Sequence, residues 1–241
     1  MEPCIKVAQM SKQYGKHLAV DSISFTVSPG EIFGFLGPNG AGKTTTMEIL
    51  TGQLIPDHGQ VSVRGIDPIE RPTAVRESVG ILPEKESPPS FLTPREYFEF
   101  VGAVRDIPTE RIDDRIDEWT NRLGFSAKLD TVSTDLSRGQ QQKVMVAAAF
   151  LHDPDLVFID EPLANLDPII QERVKRYLRD YRADGNSVIL TTHDVNVAAE
   201  LCSRVGIMYG GTLVADIRPA DLPADQTLLE AFLEYVGDDA G

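Results

Sequence analysis

The sequence predicts an α/β fold in which a mixed, mainly parallel sheet has an antiparallel β edge and carries an inserted helical lobe. Three observations point to it. The short apolar runs "EIFGFLG", "DLVFID" and "SVILTT" read as strands, and the last two have the unbroken apolar character of central parallel strands. Helical patterns separate the strands along the chain. Residues 85–152, by contrast, hold helical patterns and no good strand.

Taken in order, "CIKVAQM" and "ISFTV" alternate with period two and read as strands. "EIFGFLG" follows, and a helix begins around Gly42. Next come the strand-like "GQVSVRG" and "VGILP", and then the helical stretch. Within "PTERIDDRIDEWTNRLGF", Ile112, Ile116, Trp119 and Leu123 fall on one helical face opposite a charged one, which makes Trp119 a core residue. Beyond the lobe come "DLVFID", a helix from about Pro168, "SVILTT" and another short helix. "RVGIMYGGTLVADI" reads as a hairpin with a Gly-Gly turn.

Composition narrows the function. With 241 residues and 41% hydrophobic content, the chain can bury one sizeable core. The 23 basic and 37 acidic residues give a net charge of −14, the wrong sign for a protein that gains affinity by neutralising nucleic-acid phosphates. Arg outnumbers Lys by 15 to 8, and an acidic, lysine-poor chain suits a high-salt cytoplasm as well as an ordinary one. Cys4 and Cys202 lack partners at metal-ligand spacing and read as buried free thiols. No apolar run approaches the ~20 residues of a membrane span, and "MEPCIKVAQM" does not read as a signal peptide, so the chain is expected in the cytosol.

The stretch "GFLGPNGAGKTTT" carries the chemistry. In G-x-x-x-x-G-K-[ST], here Gly37, Pro38, Asn39, Gly40, Ala41, Gly42, Lys43, Thr44 and then Thr45, the glycines let the backbone turn its N–H groups toward phosphate oxygens. The following helix adds its positive end. Lys43 reaches the β and γ phosphates, and the Thr44 hydroxyl can ligate Mg²⁺. The loop therefore holds a nucleotide triphosphate, and the fold class is a P-loop NTPase core. "LVFIDE" ends an apolar strand in two acids, an unfavourable finish unless a cation or a reacting water sits there. Asp160 orients Mg²⁺ through its water shell, and Glu161 polarises the water that attacks the γ phosphate.

With these motifs in this order, the chain resembles the ATP-binding subunit of an ABC transporter nearly end to end. The most diagnostic stretch is "LSRGQQQKV", similar to the family's LSGGQ signature, with Leu136, Ser137, Arg138, Gly139 and Gln140 at the start of a helix. The resemblance implies that Ser137 and Gly139 complete the nucleotide site of a partner subunit. It places Tyr14 against adenine and makes His193, after "VILTT", the switch histidine that contacts the γ phosphate. It puts Asp167 of "LANLD" on a loop along the dimer interface, where Asn165 replaces the usual glycine. Two departures stand out. Glu84 of "VGILPE" takes the position of a glutamine that touches Mg²⁺ and the attacking water; it either ligates the metal or turns away until a membrane partner docks. Arg138 replaces the first signature glycine, adding a cation near the partner's nucleotide or simply standing in solvent.

The reading is an ATPase that closes as a homodimer, or with a paired ATP-binding subunit, around two Mg·ATP, with ATP and Mg²⁺ as cofactors and no nucleic-acid partner. Catalysis falls to Lys43, Glu161 and His193. Closure drives a separate integral membrane permease, and the chain lies peripherally on the inner face of the cell membrane. "SFLTPREYFEF" and "TLLEAFLEYVG" look like the branch with separate permeases, mostly exporters. The alternative is a soluble ABC-type ATPase in assembly, repair or translation. One ATP-binding domain spans 1–241, with an ATPase core at 1–84 and 153–220, a helical lobe at 85–152 and a helical tail at 221–241. The resemblance makes the region after Glu84 a groove for a permease helix, with Phe91, Leu92, Tyr97 and Phe98 as candidate anchors.

Overall fold

The computed structural model describes residues 2–237. In chain order its elements are β1 (Ile5–Tyr14), β2 (His17–Val27), β3 (Ile32–Leu36), α1 (Lys43–Leu50), β4 (His58–Val63), α2 (Pro72–Ser78) and β5 (Gly80–Leu82). Three helices follow before the next strand: α3 (Pro94–Val104), α4 (Thr109–Leu123) and α5 (Arg138–Phe150). The chain continues through β6 (Leu156–Asp160), α6 (Pro168–Ala183), β7 (Ser187–Thr192), α7 (Val195–Leu201), β8 (Arg204–Tyr209), β9 (Thr212–Ile217) and α8 (Leu228–Val236).

Two sheets form. A three-stranded antiparallel sheet has the order β2-β1-β4, and a six-stranded sheet has the order β5-β6-β7-β3-β8-β9, parallel except where β8 meets β9. The antiparallel edge is thus found where the Gly-Gly hairpin was expected. It is accompanied by a second sheet, which the N-terminal strands build by pairing with β4.

The alternation of side chains along β3, β6 and β7 explains why these strands read as unbroken apolar runs. Phe33, Phe35, Phe158 and Ile189 face a core shared with the antiparallel sheet, while Ile32, Leu36, Val157, Ile159, Val188 and Leu190 face a second core under the helices. Both faces are therefore apolar. On the first side Phe25 stacks on Phe33 at 5.5 Å and meets Phe35 edge-on at 5.2 Å. On the helical side Trp119, 1% exposed, stacks on Phe150 at 5.3 Å, as its helical spacing requires.

Two expectations change. Phe98 is fully buried, packed near Phe125, so it belongs to the core and not to a groove. Phe91 is 77% exposed, Leu92 and Tyr97 are half-buried, and Phe100 and Val104 add exposed apolar surface on α3. Cys202 is buried, but Cys4 is only half-buried, with its thiol donating to the Val27 carbonyl. Among the described residues no helix is long and apolar enough to cross a membrane. Residues 238–241 of the expected tail lie outside the described residues.

Candidate functional site

The sheet order brings three motifs together. β7 lies between β6 and β3, all three run parallel, and their carboxyl ends share one edge of the sheet, where such folds bind ligands. Leu36 pairs with Thr192 and Asp160 with Thr191. The glycine loop after β3, the acids after β6 and His193 after β7 must therefore converge.

They line one cavity of about 380 Å³, with Tyr14, Asn39–Thr45, Glu84, Asp160, Glu161 and His193 in its wall. Gly42 caps α1 at φ 99°, and a Cβ there would stand 2.4 Å from the Ala19 carbonyl oxygen, so only glycine fits. The turn aims the N-terminal end of α1 at the cavity. Lys43 is 8% exposed and donates to the carbonyls of Gly37 at 2.6 Å and Pro38 at 3.0 Å. Burial lowers its pKa, against the opposing pull of the Glu161, Asp160 and Glu84 carboxylates.

The acids differ in how they are held. Asp160 is buried; its Oδ2 accepts the Thr44 hydroxyl at 3.1 Å and its Oδ1 accepts the Thr191 hydroxyl. Glu161 has left the strand with φ 53°, a left-handed conformation uncommon for a residue with a side chain. Its Oε1 accepts the His193 backbone N–H at 3.1 Å and lies 2.7 Å from Nδ1 of the same residue, while Oε2 accepts the Thr192 hydroxyl at 3.4 Å. Glu84 is exposed in the loop after β5 and lines both this cavity and a neighbouring one of about 250 Å³ floored by Met47, Ile81, Leu82, Pro83 and Phe158.

The donor set fits Mg²⁺ as a shared ligand. A hydroxyl and a carboxylate 3.1 Å apart, Thr44 and Asp160, offer two oxygens, and no group of three or more acidic, His or Cys side chains forms a cage among the described residues. Mg²⁺ is typically held this way, by one or two protein oxygens with phosphates and waters completing the shell.

The signature residues stand apart and are not among those that line the cavity around Lys43. Leu136 is buried in the helical-side core. Ser137 caps α5: its hydroxyl accepts from Gln140 N at 3.3 Å, and Gln140 Oε1 accepts from Ser137 N at 2.9 Å. Asp167 caps α6 by accepting from Ile170 N at 3.1 Å, and the Lys143 ammonium lies 4.0 Å from its other oxygen. Sequence reasoning missed His17 and Ala19, which line the cavity beside Tyr14 and Gly42, and Thr191 and Thr192, which hold the acids. Two hydroxyls at a strand end, one step from two acids on the neighbouring strand, were the available signal.

Comparison with known proteins agrees with the geometry. Residues 20–164 match the family described as ABC transporter. The chain is similar to the probable multidrug ABC transporter ATP-binding protein YbhF of Escherichia coli (strain K12), 32% identical over 245 residues covering 98% of this chain and 42% of the relative. It is equally similar to the Nod factor export ATP-binding protein I of Rhizobium etli, 32% identical over 234 residues covering 97% of this chain and 74% of the relative. The chain thus spans less than half the length of the E. coli protein. Among solved structures, an ATP-binding subunit of an ABC transporter superposes with a TM-score of 0.89 at 26% identity, covering 96% of this chain and 99% of that one. A dimeric ATP-binding cassette bound to ADP and Pi shares the fold, with a TM-score of 0.81 at 23% identity over 89% of this chain and 98% of the other. A phosphate-type glycine loop, two acids and a histidine on one sheet edge, in a chain that matches these relatives along its length, identify it as a member of the ABC transporter family.

Proposed function

We propose that the chain hydrolyses Mg·ATP in sites shared between two copies and thereby drives export through a separate membrane permease. The observation that supports this best is Glu161, a carboxylate that lines the cavity of about 380 Å³ together with Lys43 and Asp160 and is held by His193 and Thr192. The core comprises 1–84 and 153–220, the helical lobe 85–152 and the tail 221–241.

In this reading Tyr14 stacks on adenine, and the amides of Gly37–Thr45 cradle the phosphates. Lys43 exchanges the Gly37 and Pro38 carbonyls for phosphate oxygens. Thr44 and Asp160, with Glu84 a third candidate ligand, hold Mg²⁺, which when bound neutralises charge between the phosphates. Glu161 orients and deprotonates the attacking water, and His193 keeps that carboxylate in place and faces the γ phosphate. Leu136–Gln140 and Asp167 belong to the face that closes on the other copy.

Export is favoured by the names of the relatives, one a probable multidrug transporter protein and one a Nod factor export protein. The permease docks on the apolar surface made by exposed Phe91 and half-buried Tyr97, next to the loop that carries Glu84, so that the chain lies on the inner face of the cell membrane. The test is Glu161→Gln: ATP binding persists, turnover is lost, and an ATP-dependent dimer accumulates on size exclusion. Unchanged turnover in this variant would falsify the assignment.

A further inference from the structure

The two central residues of the signature are treated differently by the fold. An added Cβ on Gly139 would lie 2.8 Å from the Asn165 carbonyl oxygen, so the backbone of the 163–167 loop excludes a side chain there. Arg138, one residue earlier, is exposed and meets no such barrier. One glycine is required by this chain's own packing, and the other position is free to carry chemistry.

What Arg138 carries is unusual for this molecule. Of the 15 arginines, eight form ion pairs with carboxylates (Arg64, Arg95, Arg111, Arg115, Arg122, Arg179, Arg204 and Arg218). Four more donate to backbone carbonyls. Arg138 does neither among the described residues, a state it shares with Arg71 and Arg176. It also stands at the first position of α5, the end of a helix where a cation is disfavoured. A chain with 37 carboxylic side chains leaves this guanidinium without one, in the segment that faces a second copy in the function proposed above.

The face that opposes it is acidic. Among the described residues Lys43 is the only Lys or Arg lining the cavity, beside Asp160, Glu161 and Glu84, and ATP adds further negative charge. Each copy has a net charge of −14, so closure brings two anionic bodies together around polyanions. We propose that Arg138 crosses the interface to the terminal phosphate of the nucleotide held by the other copy, a cation in trans opposite Lys43. Guanidinium suits this role because it pairs with phosphate oxygens in a two-pronged geometry and stays charged at any working pH. This inference rests on the shared-site reading.

The test uses the full chain in a Glu161→Gln background, where ATP holds the dimer, and measures dimerisation by analytical ultracentrifugation across a salt series. Arg138→Ala is expected to weaken the ATP-dependent dimer about tenfold or more and to flatten its salt dependence, with Arg138→Lys retaining part of the effect. Fluorescent-ATP binding by the dilute monomer should match that of the parent in both variants, because the cation acts only across the interface. A dimer constant for Arg138→Ala within twofold of the parent overturns the inference and leaves the shared site intact. Weakened monomer binding overturns it as well, since Arg138 would then act within its own chain. If the parent forms no ATP-dependent dimer at all, the shared-site reading itself fails and takes this inference with it.

Discussion

The cavity around Lys43 and the signature end of α5 both present backbone amides at the start of a helix, yet they are built to opposite plans. In the cavity every charged group except Glu84 has a partner within the chain: Lys43 on two carbonyls, Asp160 on two hydroxyls, Glu161 on His193 and Thr192. At α5 only the capping box is closed, and Arg138 stands unpartnered among the described residues. A region that holds its groups in place alone can bind a ligand alone. A region that leaves a guanidinium unpartnered is useful when something else arrives. The difference separates binding, which a single copy can perform, from turnover, which in the proposed function needs two.

Substitutions at four positions probe that division. The largest effect is expected from Glu161→Gln, which should reduce steady-state turnover by about 10²-fold or more, the order for loss of a general base, with nucleotide binding kept. Lys43→Ala should weaken ATP binding by the monomer about 10- to 100-fold, the range for losing a charge-assisted contact, as read by fluorescent-nucleotide titration. Equal affinity in the dilute monomer would break the comparison, because the cavity would then not bind on its own. Tyr14→Ala should raise the monomer dissociation constant about fivefold or more through lost stacking, while Tyr14→Phe leaves it within twofold. The smallest expected effect is on binding in Gly139→Ala: the Cβ clash with Asn165 is relieved by a shift of the 163–167 loop, the melting temperature falls by a few degrees, and monomer binding does not change. Turnover in this last variant should nevertheless drop, measured at protein concentrations that favour the dimer. Full activity would separate the signature helix from catalysis.

The two regions also differed in how well the sequence foretold them. The glycine loop and "LVFIDE" were legible because local pattern suffices: apolar strands ending in glycine or in paired acids fix both the element and the direction of its carboxyl end. The Gly139–Asn165 neighbourhood was legible as a motif but not as a contact, since the residues that pack there lie far apart in sequence and meet only through tertiary folding. The aromatic stretch "EYFEF" shows the limit more plainly. Tyr97, Phe98 and Phe100 cover most of the helix circumference, and only the packing of α3 against α4 and Phe125 decides that Phe98 turns inward and Phe100 outward. The left-handed backbone at Glu161 was likewise hidden, for nothing in "DEP" marks it; it is imposed by the backbone bond from Glu161 N to the Thr191 carbonyl and by the carboxylate contacts with His193. The short α2, which begins at Pro72, had too few turns to show a period.

The strand β6 puts Phe158 into one core and Ile159 into the other, and the next residue is Asp160. It behaves as a rod clamped from above and below, with its reactive tip projecting just past the clamps. A change of shape in either core moves the rod before it unfolds the protein, because close-packed interiors pass displacement on instead of absorbing it. Misplacement of reacting groups by about 1 Å lowers rate by about a hundredfold. Distant apolar substitutions along this strand should therefore register as slowed turnover sooner than as lost stability, and the rate of the proposed ATP hydrolysis can be tuned from positions that never touch the nucleotide.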